Sequence, residues 1–448
     1  MFTLEEMVAD VLRRAAAAGA SAADALAIES DEERVSVRCR SVEKVSQARQ
    51  KRIGLRAFVG KSSAVVSTAD LSPRSLGRLA DDAVAFARVT ASDQCAGLAD
   101  PGDIIRTPRD LDLYDHAVEE ITTSAKIALA TEAESAALEW DPAITNSEGA
   151  EFSAAASRIS YGTSLGFIGQ YSTSSFSLHV VPVATRDDIM QRDYWYTADR
   201  KLDRLEAARS VGETAARRTL RRLGASKVGT CQVPVVFDPE TAASLVRHFA
   251  AAASGSAVYR GTSFLRGKLG ETIASPAVTI HDDGTIAGGL ASKPFDGEGV
   301  ATRKTVVVEG GVLQSYLLDT YSARKLDLRT TGNAARGIGD TPGVAPTNLF
   351  LLPGSPEPEE IIASVDRGLY VTELIGFGVN PVTGDYSRGA VGMWIEKGEF
   401  VHPVEEITIA GNLLDMFQEI EMVGNDLILR ASISAPTLKL GRMTVAGA

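Results

Sequence analysis

The sequence predicts an α+β fold in two domains, with most strands paired antiparallel. The segment 144–195 is rich in Ser, Thr, Tyr, Phe and Val and alternates polar with apolar residues. This pattern is typical of long strands with one solvent-exposed face. From Gly270 onward, short strand-like runs alternate with turns such as Asp283-Gly284 and Gly310-Gly311. A few well-marked amphipathic helices between the strands complete the prediction.

The first domain is predicted to span residues 1–225 and to begin with a helix. Thr3 and Glu6 form a capping-box pattern just ahead of apolar residues at helical spacing. Local patterns predict the following elements before and after the long strands: short strands at 25–28 and 35–39, a hairpin over 53–68 that turns at Gly60-Lys61, and helices over 73–88, 116–139 and 201–223.

The second domain is predicted to span residues 226–448. It begins with a strand at 233–237, followed by Asp238-Pro239. Asp is a favoured N-cap and Pro suits the first helical position, so we expect a helix that runs to about Ala253. The remainder is predicted to form short strands with Gly turns between them.

Composition and charge narrow the classes of function. The 448 residues are 44% hydrophobic and 23% charged, which is ordinary for a globular protein, and the net charge is −12. Phosphate contacts dominate nucleic-acid affinity, so an acidic chain needs a strong basic patch to bind DNA. The best candidate is Arg217, Arg218, Arg221 and Arg222, which we interpret as the solvated face of an amphipathic helix. The sequence therefore predicts no nucleic-acid partner.

Cysteine usage and the N-terminus predict a cytoplasmic protein. Cys39, Cys95 and Cys231 are an odd number without paired spacing, as expected in a reducing compartment. The chain opens with acidic residues where a secretory signal would be basic. No stretch reaches the roughly 20 apolar residues that span a bilayer, so no membrane partner is predicted.

Motifs for independent catalysis are not evident. There is no P-loop and no Gly-x-Ser-x-Gly motif. None of the five histidines has another within five residues: His116, His179, His248, His281 and His402. His281 with Asp282 and Asp283 could supply metal ligands, but a strand that ends in an Asp-Gly turn explains the same residues. We therefore predict no catalytic residue and no metal ligand in this chain.

Several segments of the second half, in combination and in order, resemble the TldD/PmbA family, whose members were historically named modulators of DNA gyrase. The strongest is Asn380-Pro381-Val382-Thr383-Gly384-Asp385-Tyr386-Ser387. The resemblance is also carried by the following segments and residues: 261–270, 274–275, 281–285, 294–299, Thr302, 308–313, 331–334, Gly389, Gly392, 396–399 and 409–412.

Within that family, the chain resembles the PmbA (TldE) branch. The TldD branch carries H-E-x-x-x-H on the helix that precedes the Gly-Thr-Ser segment, and a downstream Cys completes its zinc site. Here the corresponding stretch, Leu245 to Ala253, has one histidine, His248, and no carboxylate, and no cysteine follows Cys231. Zinc catalysis needs three or four ligands and a carboxylate base, so the zinc site is predicted to be lost.

The resemblance implies a non-catalytic subunit of a two-component cytoplasmic metallopeptidase that degrades or processes unfolded peptides. It implies no cofactor in this chain, with zinc held by a TldD-like paralogue. The chain would form a heterodimer with that paralogue and a homodimer when alone. Two alternatives stay open: a divergent peptidase that binds metal through His248, His281 and nearby Asp residues, and a gyrase- or toxin-linked regulatory protein.

Six residues are candidates for peptide binding because their hydroxyl, amide or carboxylate groups, or their backbone, lie in the quoted motifs: Thr262, Ser263, Asn380, Thr383, Gly384 and Asp385. All six are also strong turn or cap formers. A purely structural turn is therefore the competing interpretation for each segment.

Overall fold

The computed structural model describes residues 2–447. Strands of the first half are β1 (Ala22–Arg38), β2 (Ser41–Val59), β3 (Ser62–Thr68), β4 (Ile144–Thr163), β5 (Ile168–Arg186), β6 (Ile189–Arg192) and β7 (Trp195–Asp199). Its helices are α1 (Leu4–Ala17), α2 (Pro73–Val89), α3 (Ala117–Glu120), α4 (Thr123–Leu138) and α5 (Ala208–Leu220). The strands form one antiparallel sheet in the order β3-β2-β1-β4-β5-β6, with β7 also paired to β5.

Helices cover the two ends of one face of this sheet. α1 and α2 pack near the start of β1, around Ala25, whereas α4 and α5 pack near its end, around Val35. The stretch between them is charged, and Arg49 on β2 pairs with Asp31 on β1 at 2.7 Å. The uncovered stretch forms an open groove of about 400 Å³ between the two helix pairs.

The length of β1 corrects the expectation of two short strands at 25–28 and 35–39. One continuous strand runs through the charged residues 29–34. β2 and β4 flank β1 on both sides, so its backbone groups are paired throughout. Cross-strand partners of opposite charge, such as Asp31 and Arg49, make the charged stretch compatible with a sheet.

Two predicted helices are shorter than expected. The helix predicted over 116–139 is divided into α3 and α4, because extended Thr122 caps a new helix by accepting from the N–H of Ala125 at 3.2 Å. The helix predicted over 201–223 begins only at Ala208, after a 3-10 turn at Leu202–Arg204. There the Asp115 carboxylate accepts from the N–H of Leu202 at 2.9 Å and holds the chain out of α5.

Helices of the second half are α6 (Pro239–Ala253), α7 (Gly255–Arg260), α8 (Thr320–Leu326), α9 (Pro358–Ala363) and α10 (Leu413–Gln418). Its strands are β8 (Cys231–Phe237), β9 (Ile280–Asp283), β10 (Lys304–Glu309), β11 (Val312–Leu313), β12 (Ala334–Ala335), β13 (Gly343–Val344), β14 (Leu349–Leu351), β15 (Arg367–Ile375), β16 (Asp385–Glu396), β17 (Glu399–Asn412), β18 (Ile420–Val423), β19 (Ile433–Ser434) and β20 (Leu438–Ala446). Most pairs are antiparallel, while β8–β15 and β14–β19 are parallel. The α+β prediction is confirmed.

The core of the second half lies around α6. One sheet has the order β17-β16-β15-β8-β20-β18, and an extra β17–β20 pairing closes five of these strands on themselves. A second sheet has the order β11-β10-β9-β14-β19. Apolar residues of α6, including Leu245 and Phe249, join residues of both sheets in one buried cluster. α6 is therefore held on both sides, and the positions of its polar residues are set by this packing.

Three local features that the sequence predicted are confirmed: a capping box, a hairpin turn and a helix N-cap. Thr3 and Glu6 form the predicted capping box of α1. Gly60 turns the β2–β3 hairpin with a φ of +62°, and Asp238 caps α6 by accepting from the N–H of Thr241 at 2.9 Å. The division of the chain near residue 225 stays a prediction.

The four arginines of α5 and the turn after it do not form the solvated helix face that the sequence predicted. Only Arg217 lies on the solvated face that was predicted for all four. Arg218 lies 3.3 Å from the Asp238 carboxylate, and Arg222 lies 2.6 Å from that of Glu373. These ion pairs join the first half of the chain to α6 and β15, so the basic residues connect the halves of the molecule.

Candidate functional site

The connection between β15 and β16 forms a tight turn, and together with the first residue of β16 it contains four of the six predicted residues. Asn380 Oδ1 accepts from the N–H groups of Val382 at 3.0 Å and Thr383 at 3.4 Å. Thr383 Oγ1 donates to Asp385 Oδ2 at 2.6 Å. Gly384 has a φ of +84°, which glycine adopts without strain. These contacts explain the turn, while Asn380, Thr383 and Asp385 stay exposed, so their role in peptide binding stays a prediction.

The other two predicted residues lie in the turn after α7. Ser263 is buried, and its Oγ donates to the Ala252 carbonyl at 2.6 Å and accepts from the N–H of Leu265 at 3.0 Å. Exposed Thr262 donates to the Ala257 carbonyl at 3.2 Å. Both hydroxyls hold the local turn, as Ser and Thr commonly do. Peptide binding by these two residues also stays a prediction.

The fold brings the two predicted segments together. The N–H of Phe264 donates to the carbonyl of Pro381 at 3.1 Å, so the turn after α7 touches the β15–β16 connection. Ser263 ties the same turn to Ala252 near the end of α6. All six predicted residues therefore surround one junction between α6 and β16.

Four polar side chains meet at this junction, and we call them the α6–β16 cluster: Ser244, His248, Tyr386 and Arg388. Ser244 and His248 lie one helical turn apart, while Tyr386 and Arg388 lie two residues apart on one face of β16. Arg388 Nη1 donates to Ser244 Oγ at 3.0 Å. The rings of His248 and Tyr386 meet edge to face with centroids 6.2 Å apart.

The cluster has unmet hydrogen-bonding capacity. Tyr386 is 2% exposed, and its hydroxyl has no hydrogen-bond partner among the described residues. His248 Nε2 and Arg388 Nε are also buried without a partner within residues 2–447. A buried polar group left in this state costs about 1–3 kcal/mol, and native proteins contain few of them. Three such groups in one cluster therefore need an explanation.

The electrostatic environment of the cluster is positive. Burial, Arg388 and Arg247 all lower the pKa of His248, so its imidazole is neutral at pH 7. Burial raises the pKa of Tyr386, so its phenol keeps the proton. Arg388 donates to two neutral oxygens, Ser244 Oγ and the Leu374 carbonyl at 3.2 Å. The described hydrogen bonds of Arg388 thus leave its positive charge uncompensated.

These residues do not fit a catalytic zinc ion. Zinc requires three or four nitrogen, sulfur or oxygen ligands, whereas His248 is followed on α6 by Ala251, Ala252 and Ala253. The neighbouring guanidinium of Arg388 would repel a cation. Within residues 2–447, no group of three or more His, Cys, Asp and Glu side chains is placed to hold a metal ion.

The two carboxylates of the second set of candidate ligands, Asp282 and Asp283, already accept hydrogen bonds from protein groups. The Asp282 carboxylate accepts from Asn333 Nδ2 at 2.6 Å and from the N–H of Thr347 at 2.7 Å. Asp283 Oδ1 accepts from Thr285 Oγ1 at 2.6 Å in the turn after β9. These contacts match the interpretation of this segment as a strand that ends in an Asp-Gly turn.

A buried charge network was not predicted from the sequence. The carboxylate of Asp24, on β1, accepts from Arg336 Nη1 at 2.7 Å, from Arg56 Nε at 3.1 Å and from the Tyr161 hydroxyl at 3.1 Å. Arg56 also lies 3.5 Å from Glu298. The network joins the sheet of the first half to loops of the second. The sequence points to this network in one respect only: Glu298 lies in segment 294–299, one of the segments that resemble the TldD/PmbA family.

Asp296 lies beside this network in the same segment. Its Oδ1 accepts from the N–H groups of Glu298 at 2.8 Å and Val300 at 3.0 Å, and its Oδ2 accepts from the N–H of Ala334 at 2.9 Å. Burial and the nearby Glu298 raise the pKa of Asp296 to about 7. The segment 294–299 therefore organises the junction of the two halves.

Comparison with known families gives the class of protein that carries this fold and site. Three consecutive segments match the domains of one metallopeptidase family: residues 23–87 match PmbA/TldA metallopeptidase domain 1, residues 117–223 the central domain, and residues 230–447 the C-terminal domain. The chain belongs to the PmbA/TldD family. The sequence-based resemblance is thereby confirmed.

Individual relatives agree with this assignment. The chain is 40% identical over 413 residues to the Metalloprotease PmbA of Escherichia coli O157:H7, covering 92% of this chain and 89% of the relative. It is 37% identical over 445 residues to the Metalloprotease PmbA homolog of Haemophilus influenzae, covering 99% and 96%. Membership of this family supports a peptidase-related role.

Solved structures share the fold. A Bacteroides thetaiotaomicron protein described as a candidate modulator of DNA gyrase superposes with a TM-score of 0.92 and 28% identity, covering 100% of both chains. TldE from Thermococcus kodakarensis has a TM-score of 0.89, covers 98% of this chain and 100% of its own, and at 22% identity shows the fold alone. No helix within residues 2–447 has the length and apolar character needed to cross a membrane.

Proposed function

We propose that this chain is the non-catalytic subunit of a two-component cytoplasmic metallopeptidase that degrades or processes unfolded peptides. A TldD-like paralogue would hold the zinc ion and form a heterodimer with this chain, which would form a homodimer when alone. The observation that carries the proposal is the environment of His248 on α6. The family is a metallopeptidase family, yet the single imidazole of this helix has alanines after it and arginines beside it, Arg247 on α6 and Arg388 on β16.

Zinc chemistry explains why this environment matters. A catalytic zinc ion takes three protein ligands and leaves one position for water, and a carboxylate base then accepts a proton from that water. Around His248, two arginines lower the imidazole pKa, and alanines occupy the next helical turn. The carboxylates of Asp282 and Asp283 already accept hydrogen bonds elsewhere. Each feature supports a subunit that handles peptide rather than one that cleaves it.

The peptide-handling role is assigned to the surface around the junction of α6 and β16. The exposed residues Thr262, Asn380, Thr383 and Asp385 offer hydroxyl, amide and carboxylate groups there. In general, exposed strand edges recognise extended peptides of many sequences through backbone hydrogen bonds. A surface of this kind suits unfolded substrates.

The central experiment compares the chain alone, the zinc-bearing paralogue alone and their mixture. After purification without chelators, we expect no stoichiometric zinc in this chain, and cleavage of an unfolded peptide only in the mixture. Light scattering should show a self-associated chain that exchanges into the heterodimer. One zinc ion per chain that is lost in His248→Ala, or cleavage by a monomer without a partner, would overturn the proposal.

A second experiment decides the role of the β15–β16 connection. If the connection holds peptide, Asp385→Ala reduces cleavage by the mixture while assembly is unchanged. If it is only a turn, loss of the Thr383–Asp385 hydrogen bond lowers thermal stability, and activity per folded complex is unchanged. Ser387→Ala is the matched control, because this neighbouring exposed residue makes none of the turn's hydrogen bonds described above.

A second candidate function is a divergent metallopeptidase that acts without a partner. The observation in its favour is that relatives at 37–40% identity are named metalloproteases. On this account His248 and His281 would bind the metal. Elemental analysis separates the two candidates, because only the second requires bound metal that disappears in both His248→Ala and His281→Ala.

A further inference from the structure

We propose that the α6–β16 cluster is a carboxylate-binding site, and that it takes the C-terminal carboxylate of a bound peptide. The peptide ligand rests on the proposed function, whereas the carboxylate site rests on the four side chains themselves. Ser244 and His248 approach from α6, and Tyr386 and Arg388 approach from β16. Their shared position follows from the Ser244–Arg388 hydrogen bond and the edge-to-face rings of His248 and Tyr386.

The unmet hydrogen bonds specify an acceptor as the ligand. Tyr386 carries a protonated hydroxyl and Arg388 an Nε–H, and both are donors without a partner among the described residues. The neutral imidazole of His248 can present a third donor at Nε2, which is likewise buried without a partner in residues 2–447. A carboxylate accepts several hydrogen bonds through two oxygens, and it matches the planar guanidinium of Arg388.

The charge of the cluster specifies an anion. The chain as a whole carries a net charge of −12, yet Arg388 donates only to neutral oxygens in the described structure, and Arg247 lies close enough to act on His248. An anionic oxygen ligand would neutralise the positive charge and satisfy the buried donors together. Charge-assisted hydrogen bonds of this kind are the strong ones.

The position of the cluster specifies a peptide terminus. β16 continues directly from the candidate peptide-binding loop and begins at Asp385, and Arg247 and Ala251 are exposed on α6 near His248. A protein that handles unfolded peptides of many sequences can rely only on groups that every peptide carries, which are its backbone and its two ends. Of these, the C-terminus alone supplies a carboxylate.

The test measures binding of an unfolded ten-residue peptide to the purified full-length chain without its partner. A fluorophore on the peptide N-terminus reports binding by anisotropy, and the C-terminus is either a free acid or an amide. We expect the acid to bind at least about tenfold more tightly than the amide, because only the acid offers charge-assisted hydrogen bonds. Arg388→Gln and Tyr386→Phe should each reduce this preference to less than about threefold.

A folding check, a control variant and a competitor accompany this binding test. Tyr386→Phe retains the buried ring, so the variant is expected to fold, and circular dichroism checks this. Arg217→Gln removes an exposed arginine far from the cluster along the chain and should leave the tenfold preference unchanged. Sodium acetate should compete with the acid peptide in the wild-type chain and not in Arg388→Gln.

Three results would overturn the proposal. Equal binding of acid and amide peptides would remove the terminal carboxylate as the ligand, and so would the absence of binding by either peptide. Competition by inorganic phosphate at much lower concentration than acetate would assign the cluster to a phosphate-bearing ligand instead. Because none of these measurements involves zinc or cleavage, each failure is separate from a failure of the proposed non-catalytic role.

Discussion

The buried charge network and the α6–β16 cluster are both polar sites in the interior, but they differ in how their hydrogen bonds are met. In the network, the Asp24 carboxylate accepts from Arg56, Arg336 and Tyr161. In the cluster, the hydroxyl of Tyr386 has no partner within the described residues. A buried polar group with all its partners stabilises a particular arrangement of the chain, whereas one without them is ready to bind something else. The network therefore holds the halves of the molecule together, and the cluster is the better candidate for a ligand site.

The largest expected effect comes from removing the carboxylate at the centre of the network. Asp24→Ala leaves the guanidinium groups of Arg56 and Arg336 buried without that counter-ion. The free energy of unfolding should fall by about 3–5 kcal/mol, as measured by urea denaturation. Asp31→Ala on the same strand removes a partly exposed ion pair with Arg49 and should cost less than about 1 kcal/mol. Equal losses in the two variants would show that the network has no special role.

The pH dependence of stability tests the raised pKa of Asp296, which lies beside the network. Unfolded Asp releases its proton near pH 3.8, whereas the pKa of Asp296 in the folded chain is about 7. The folded state therefore binds more protons between these values, and Asp296 makes the free energy of unfolding fall as pH rises from about 4 to about 7. Its contribution to the slope is at most about 1.4 kcal/mol per pH unit.

Comparison with a variant isolates this contribution. Asp296→Asn lacks the titrating carboxyl group, so its free energy of unfolding should fall less steeply over the same pH range. The difference between the two slopes is the relevant quantity, and it includes the response of Glu298, whose carboxyl group interacts with that of Asp296. Parallel slopes in urea denaturation from pH 4 to 7 would contradict the raised pKa.

A pair of tyrosine variants compares the two sites directly. Tyr161→Phe removes a hydrogen bond to the Asp24 carboxylate and should cost about 1.5 kcal/mol. Tyr386→Phe removes a buried hydroxyl that has no partner in the described structure, so stability should change by less than about 0.5 kcal/mol or increase. Thermal unfolding measures both. A larger loss in Tyr386→Phe would show that its hydroxyl is already satisfied in the ligand-free chain.

The smallest expected effect concerns nucleic acid. The net charge is −12, and Arg218 and Arg222 are engaged with carboxylates at the junction of the halves. Duplex DNA should show no retardation in a gel at micromolar protein and physiological salt. Retardation that weakens with added salt and is lost in Arg217→Gln would identify the exposed part of α5 as a docking surface.

Much of the fold could be predicted because its signals are local. The capping box at Thr3 and Glu6, the turn at Gly60 and the N-cap at Asp238 each depend on residues a few positions apart. The charged stretch 29–34 could not be recognised as part of β1, because the groups that make a strand possible there belong to β2 and β4. Pairing between distant segments overrides local propensity at such places.

The sequence by itself determined the α+β class, the family and the position of the β15–β16 connection, since repeated patterns and specific motifs carry these properties. Only the tertiary structure decided that Arg218 and Arg222 face the interior and that the hydroxyl of Tyr386 is buried without a partner. It also decided that Arg388 meets Ser244, more than a hundred residues earlier in the chain. The physical reason is that burial and hydrogen bonding depend on which elements pack together, and no local pattern in α6 or β16 records its partner.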